Sequence, residues 1–159
     1  MGLNTFPMRE YPHSLLGKLQ KKLKHFINGS NPFRMSIFGK EFTFVRRDIL
    51  KDLRRNSVVQ SEQLDLREQL YDSVLAQSHL IPLSLYTQPI IWNYDYTMRL
   101  LKLPNFLVMA DSLCSAYHKG FQNISENVFE HNILNPGNFA KTGSFAIIKP
   151  NTLEILKYK

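Results

Sequence analysis

The stretch 34–45 limits the fold of this chain more than any other, because its pattern is that of a β-hairpin. Apolar and polar residues alternate on both sides of Gly39-Lys40, and glycine at the first central position suits a type II′ turn. That turn would place Met35 opposite Phe44, with the apolar side chains of both strands on one face. The fold is therefore expected to contain antiparallel strands near the end of its first third.

Helical and extended patterns surround this hairpin. Apolar residues spaced three and four apart predict helices over 14–27, 46–55 and 61–79, and two more over about 95–103 and 105–119, divided by Pro104. A further short helix is predicted to begin at Ser125. Residues 144–149 and 152–158 predict two C-terminal strands around Pro150. Strands at both ends with helices between them predict a single compact α+β domain rather than regular βαβ winding.

Length and composition agree with one folded unit. A chain of 159 residues, 43% of them hydrophobic, is long enough to bury its own core. The pattern predicts a flexible basic arm and amphipathic helix over 1–30 and a globular domain over 31–159. The single cysteine excludes an internal disulfide, and no apolar run approaches the roughly 20 residues of a spanning helix. We therefore expect an intracellular protein, cytoplasmic or peripheral to a membrane.

Positive charge is concentrated in the first third of the chain. Residues 1–55 contain twelve Lys and Arg against four Asp and Glu, whereas residues 56–159 contain eight against nine. Such a distribution indicates an anionic partner, which could be lipid head groups, nucleic-acid phosphates or an acidic protein surface. The residues predicted to bind membrane or phosphate are Lys18, Lys21, Lys22, Lys24, Arg46, Arg47, Arg54 and Arg55.

The predicted helix 14–27 suits the surface of a membrane. It carries a lysine-rich face and an apolar face, as interfacial helices do. The side chains predicted to insert into the bilayer are those of Leu19, Leu23 and Phe26. The alternative is an ordinary surface helix that packs these side chains against the core of its own domain.

Catalytic and metal-binding patterns are absent from the sequence. The five histidines lack the spacing of a zinc site, and no phosphate loop or nucleophile elbow occurs. Cys114 and His118 would be neighbours on a helix, but the amphipathic pattern there favours packing over chemistry. We therefore predict no cofactor, no metal site and no enzymatic activity. A small metal-independent nuclease or toxin, using His25 or His118 with Arg46 or Arg47, stays an alternative.

One short motif gives the sequence a resemblance to a known class of protein. Residues 11–15 read Tyr-Pro-His-Ser-Leu, which resembles the YPx(n)L late motif with which enveloped-virus structural proteins recruit the host budding machinery. With the basic helix beside it, the chain resembles a small matrix protein of negative-strand RNA viruses such as rhabdoviruses, although the PPxY motif common in rhabdovirus matrix proteins is missing. The resemblance implies that Tyr11, Pro12 and Leu15 contact the budding machinery.

The leading hypothesis from sequence is thus a non-enzymatic, self-associating matrix-type protein that binds anionic membrane and is found in virions. In this hypothesis the folded domain self-associates or holds a nucleoprotein. The main alternative is an RNA- or DNA-binding accessory protein of a virus or phage, in which the basic third contacts phosphates. A module that binds an acidic protein surface is a further alternative.

Overall fold

A computed structural model describes residues 6–11, 13–58, 66–112, 116–124, 127–149 and 153–157 of the chain. Four α-helices, one 3₁₀ helix and seven strands occur in these residues. In chain order they are α1 (His13–Lys22), β1 (Phe33–Ile37), β2 (Lys40–Val45), α2 (Ile49–Asn56), α3 (Leu66–Ala76), the 3₁₀ helix (Trp92–Met98), β3 (Phe106–Met109), β4 (Ala116–Ile124), β5 (Asn127–Asn135), α4 (Phe139–Thr142), β6 (Ser144–Ile148) and β7 (Leu153–Lys157).

Strands β1 to β5 form one mixed sheet in the order β1-β2-β3-β5-β4. The three central strands run parallel, with Phe42 opposite Phe106 and Phe106 opposite Asn132. β1 pairs antiparallel with β2 at one edge, and β4 pairs antiparallel with β5 at the other. Parallel neighbours require a crossover, and α2, α3 and the 3₁₀ helix lie in the connection between β2 and β3. The predicted α+β class is confirmed.

The main core lies between one face of this sheet and the elements of that crossover. β2, β3 and β5 each contribute buried side chains to it, and the apolar faces of α2 and α3 cover them. The burial of Leu70, Tyr71 and Val74 confirms the amphipathic face predicted for the third helix. The buried core residues are Phe6, Val45, Ile49, Leu50, Leu53, Leu70, Tyr71, Val74, Leu80, Ile81, Met98, Leu100, Leu107, Met109 and Ile133.

The predicted hairpin is confirmed, but its register differs from the expected one. The turn residues are Phe38 and Gly39, both at positive φ, which is the type I′ geometry rather than type II′. The pairing therefore shifts by two residues, and Met35 lies opposite Phe42 instead of Phe44. Because the shift is even, the side chains that were predicted to share a face still share it. Phe38 at the tip is fully exposed.

Three of the predicted helices are wrong. The 95–103 region contains the end of the 3₁₀ helix, while residues 106–109 and 116–124 are strands rather than a helix. The short helix expected from Ser125 is replaced by β5. β3 is central in the sheet and buried on both faces, so its residues are uniformly apolar and lack the alternation that marks a half-buried strand. The two C-terminal strands, which pair antiparallel as β6 and β7, confirm their prediction.

The first predicted helix is present but shorter than expected. It ends at Lys22, so Leu23, Phe26 and Ile27 lie beyond it. After the helix the chain turns back, and the side chain of Asn28 hydrogen-bonds to both backbone groups of Tyr11. Residues preceding the helix also contact the rest of the fold, since Phe6 is buried in the core. The division of the chain at residue 30 stays a prediction.

Candidate interaction surfaces

The carboxyl ends of the parallel strands are the usual place for a ligand site in a sheet of this kind. Two acidic residues lie there. Asp111 follows β3, is buried, and its Oδ2 accepts a hydrogen bond of 2.9 Å from the backbone N–H of Leu50 in the first turn of α2. Asp48 follows β2, and its Oδ1 accepts from the N–H of Ser112 at 2.8 Å. Both carboxylates therefore bind backbone groups of the loops that close this end of the sheet.

The pKa of Asp48 and the charge beside it agree with a structural role for the two carboxylates at the carboxyl ends of the strands. Burial acts to raise the pKa of Asp48, but hydrogen bonds from Ser112 and the charge of Arg46 outweigh it, so the pKa lies below its usual value. The Nη1 of Arg46 lies 3.2 Å from Asp48 Oδ1 and donates to the carbonyl of Ala110. In the part of the chain that the structure describes, no cluster of three or more His, Cys, Asp and Glu side chains is arranged to hold a metal ion.

The basic residues predicted from sequence fall into two groups. Arg46 and Arg47 contribute to the fold, because Arg46 bonds to its neighbours at the sheet edge and Arg47 Nε donates to Gln88 Oε1 at 2.9 Å. The guanidinium of Arg47 also lies 5.5 Å from the ring centroid of Phe6. The other six residues are exposed on or beside the last turns of two helices: Lys18, Lys21, Lys22 and Lys24 at α1, and Arg54 and Arg55 on α2.

The remaining residues singled out from the sequence are the predicted membrane-inserting residues, the motif residues, and Cys114 with His118. Leu19 and Leu23 are about half exposed, and Phe26 is partly buried. Tyr11 is partly buried and bonded to Asn28, whereas Pro12 and the side chain of Leu15 lie outside the described residues. Cys114 also lies outside them. His118 belongs to β4, so the helix on which Cys114 and His118 would be neighbours is wrong at this position.

An aromatic cleft that was not predicted from the sequence lies beside the 3₁₀ helix. It has a volume of about 770 Å³, and tyrosines at 94 and 96 form part of its wall. Met8 and Asn31 also line it, and their backbones are joined by hydrogen bonds of 2.7 and 2.8 Å. The sequence signal was present: Trp-Asn-Tyr-Asp-Tyr places three large aromatic residues within five positions, and all three are half exposed or more.

A polar cluster attaches the 3₁₀ helix to the rest of the fold. Asp95 Oδ2 accepts two hydrogen bonds from Arg99, at 2.9 and 3.0 Å, while His79 Nε2 lies 3.2 Å from Asp95 Oδ1. Burial acts to raise the pKa of Asp95, but the hydrogen bonds from Arg99 and His79 outweigh it and the pKa is lowered. This cluster therefore holds the exposed aromatic residues in a defined position.

Comparison with known proteins identifies the family of the chain. The family model for the DNA polymerase alpha/epsilon B subunit matches residues 2–119, which include the elements from α1 to β3. The chain belongs to the DNA polymerase alpha/epsilon B-subunit family. The match covers the basic helices, the hairpin and the aromatic cleft alike, so all the surfaces described above belong to the part shared with this family.

Individual relatives in the B-subunit family agree with this assignment. The chain is 33% identical over 154 residues to the DNA polymerase epsilon B subunit of Arabidopsis thaliana, which covers 95% of this chain and 28% of that protein. It is 29% identical over 150 residues to DNA polymerase epsilon subunit 2 of Homo sapiens, covering 93% and 27%. For the B subunit of Schizosaccharomyces pombe the identity is 30% over 132 residues, covering 73% and 22%. The chain thus spans about a quarter of the length of these curated relatives.

Membership of the B-subunit family overturns the interpretation as a viral matrix protein. The relatives are named as DNA polymerase subunits of plants, animals and fungi, so the predicted membrane-binding function, the virion or peripheral-membrane location and the role in budding are wrong. The resemblance rested on a five-residue motif beside a basic helix, and both features are short enough to arise in unrelated proteins. Within the described parts of the chain, none of the helices has the length and apolar character needed to span a bilayer.

Proposed function

We propose that this chain is a non-enzymatic part of a DNA polymerase B subunit and that it works by holding other components of the polymerase. The family match over residues 2–119 carries this proposal. The relatives are named as subunits, which makes them components of a larger assembly. A polymerase works where DNA is, so the natural location of the chain is the nucleus of a eukaryotic cell.

The hydrogen bonds of Asp48 and Asp111, at the carboxyl ends of the parallel strands, support the absence of catalysis. A catalytic acid or base needs an oxygen or nitrogen that is free to meet a substrate. Asp111 is buried with its Oδ2 on the N–H of Leu50, and Asp48 bonds to Ser112 and Arg46. These side chains stabilise the loops that follow the parallel strands, which is a structural task.

The proposal is tested by reconstitution with DNA polymerase epsilon of the source organism, purified without its own B subunit. We expect the tagged full chain to retain this polymerase on a column and an excess of untagged chain to displace it. The chain alone should incorporate no nucleotide on a primed template and release no phosphate from nucleotides. Failure to retain the polymerase would contradict the docking role, and an activity of the purified chain that Asp111→Asn abolishes would contradict the non-enzymatic one.

A second candidate function, contact with DNA phosphates, is favoured by exposed basic side chains on and beside α1 and on α2. The exposed lysines of α1 and the two arginines of α2 have no carboxylate partner among the described residues, and Lys51 on α2 shares this property. Arg46 and Arg47 do not belong to this set because their guanidinium groups are bonded within the fold. Cations in the last turn also favour the helix dipole, so their position has a structural benefit as well. The proposed contacts are Lys18, Lys21, Lys22, Lys24, Lys51, Arg54 and Arg55.

Salt dependence distinguishes phosphate binding from a purely structural role. We expect the wild-type chain to bind a primer–template DNA with an affinity that falls steeply as salt increases, because neutralised phosphates release counterions. Arg54→Gln with Arg55→Gln should weaken binding and reduce the slope of log K against log salt by about 0.9 for each phosphate that is no longer neutralised. Lys102→Gln is the matched control, since its ammonium is already paired with Glu41 at 3.0 Å. Equal slopes for all three proteins would exclude these arginines as phosphate ligands.

A further inference from the structure

The free edge of the sheet at β1 has backbone groups directed away from the molecule. The N–H of Glu41 donates to Asn105 Oδ1 at 2.8 Å, and the carbonyl of Val45 accepts from Ala110 at 2.8 Å, so the odd-numbered residues of β2 face β3. Opposite residues of an antiparallel pair alternate between bonded and non-bonded pairs. The partners of Glu41 and Thr43, which are Ser36 and Arg34, therefore direct their N–H and C=O groups outward.

No second strand occupies that edge in the described residues, where β1 pairs with β2 alone. The four outward backbone groups of Arg34 and Ser36 are the donors and acceptors that an added strand requires. Proteins commonly protect such an edge with proline, a bulge or charged side chains. Between Phe33 and Ile37 the charged side chain is Arg34, whose Nη2 is bonded to carbonyls of the same molecule.

The side chains of β1 define the chemistry of a matching strand. On one face Met35 and Ile37 are 38% and 39% exposed, which leaves two apolar side chains beside the edge. On the other face the Nη2 of Arg34 donates to the carbonyls of Thr97 and Arg99, at 3.0 and 2.8 Å. No carboxylate of the described residues pairs with Arg34, so a positive charge lies beside the edge.

The aromatic cleft continues this edge. Pro32, the residue directly before β1, lines the cleft together with Thr97, whose carbonyl is bonded by Arg34. An extended segment added to β1 has this cleft at its end next to Phe33, since the backbone groups of Asn31 beyond Pro32 are already bonded to Met8. There it meets Ile91, Tyr94 and Tyr96, which suit an apolar or aromatic residue.

We propose that β1 binds an extended segment of a partner protein as a sixth strand, in which apolar residues alternate with acidic ones. The apolar residues pack on Met35 and Ile37, and an acidic residue neutralises Arg34. The net charge of +7 on this chain also favours a partner segment that carries negative charge. This inference deepens the proposed function, on which it rests for the source of the segment: another component of the polymerase.

A proline substitution separates strand addition from folding of the hairpin. In Ser36→Pro the lost N–H is the outward one, so β1 keeps its hydrogen bonds to β2 and the circular dichroism spectrum should not change. Ser36→Thr is the matched control because it keeps this N–H. The probe is a fluorescent heptapeptide of alternating Val and Glu, compared with the same peptide carrying Lys in place of Glu, and binding is followed by anisotropy with the full chain.

We expect the Glu peptide to bind the wild type and Ser36→Thr equally, and to bind Ser36→Pro at least about tenfold more weakly. The Lys peptide should bind no better than the Glu peptide binds Ser36→Pro. Hydrogen exchange gives a second measurement that needs no variant, since the Glu peptide should slow exchange of the amides of Arg34 and Ser36 in the wild type.

Three results would overturn the inference: no binding of the Glu peptide, equal binding by Ser36→Pro, or equal binding of the two peptides. A wild-type dimer in sedimentation that Ser36→Pro converts to a monomer would also overturn it, because the occupant would then be a second copy of this chain. The outcome is independent of the retention experiment, so the peptide can bind when retention of the polymerase fails.

Discussion

Replacing Phe6 by alanine is expected to destabilise this protein by about 3–5 kcal/mol, the range for removing a buried phenylalanine. The ring is 1% exposed within the core, and the guanidinium of Arg47 lies 5.5 Å from its centroid. The backbone of Phe6 is also held, because its carbonyl accepts a hydrogen bond of 2.9 Å from the N–H of Ile91. In a chain of this length the loss corresponds to a fall in Tm of roughly 6–20 °C.

Phe38→Ala is the matched control for this experiment. The same aromatic ring is removed, but Phe38 is fully exposed at the tip of the hairpin, so the free energy of unfolding should change by less than about 0.5 kcal/mol. Urea unfolding of the three proteins, followed by circular dichroism, measures both effects. A Phe6→Ala protein as stable as Phe38→Ala would show that the residues before α1 do not pack with the core. The expected loss would instead place residue 6 in the same cooperative unit as the sheet, which argues against a division at residue 30.

The second large effect is expected at Asp111. In Asp111→Ala the buried N–H of Leu50 loses its acceptor at the start of α2, and a negative charge is removed from the helix N-terminus. Leaving a buried donor unpaired costs about 1–3 kcal/mol, and bonds to charged groups lie toward the upper end. We therefore expect a loss of about 2–3 kcal/mol in the free energy of unfolding.

Asp111→Asn gives the control for this prediction, because it retains an oxygen acceptor for Leu50 while removing the charge. It should lose less stability than Asp111→Ala in the same unfolding experiment. Thermal unfolding of the wild type with and without Mg²⁺ or Mn²⁺ tests the alternative role of this carboxylate. We expect no change in Tm; an increase that both variants abolish would show that Asp111 binds a metal ion, which would contradict the structural role proposed for it.

Amphipathic elements were the part of the fold that the sequence predicted well. Helices α2 and α3 each bury one face, so apolar residues recur along them with the helical period. The hairpin and the two C-terminal strands carry strand-favouring residues between turn signals. The hairpin register was wrong by two residues because turn type depends on positive φ at Phe38, a residue that rarely adopts it. Even there the shared faces were right, since an even shift preserves them.

Strands in the middle of the sheet were missed for the opposite reason. Phe106–Met109 is buried on both faces, so no polar residue interrupts it and no period distinguishes a strand from a buried helix. The aromatic residues of the 3₁₀ helix were also passed over, because their importance comes from Met8, Asn31 and Pro32, which reach the same cleft from a distant part of the chain.

The charge distribution, the absence of catalytic motifs and the half-buried elements could all be read from the order of the residues, because each depends on residues close together in the chain. Which basic side chains are bonded within the fold, and which acids act as acceptors for loop backbones, became clear from the folded molecule alone. The same holds for the parallel arrangement of β2, β3 and β5 at the centre of the sheet. These features depend on contacts between residues some 60 positions apart, such as Leu50 with Asp111 and Phe42 with Phe106. Contacts over such separations leave no local period in the sequence, so they emerge only when the sheet is formed.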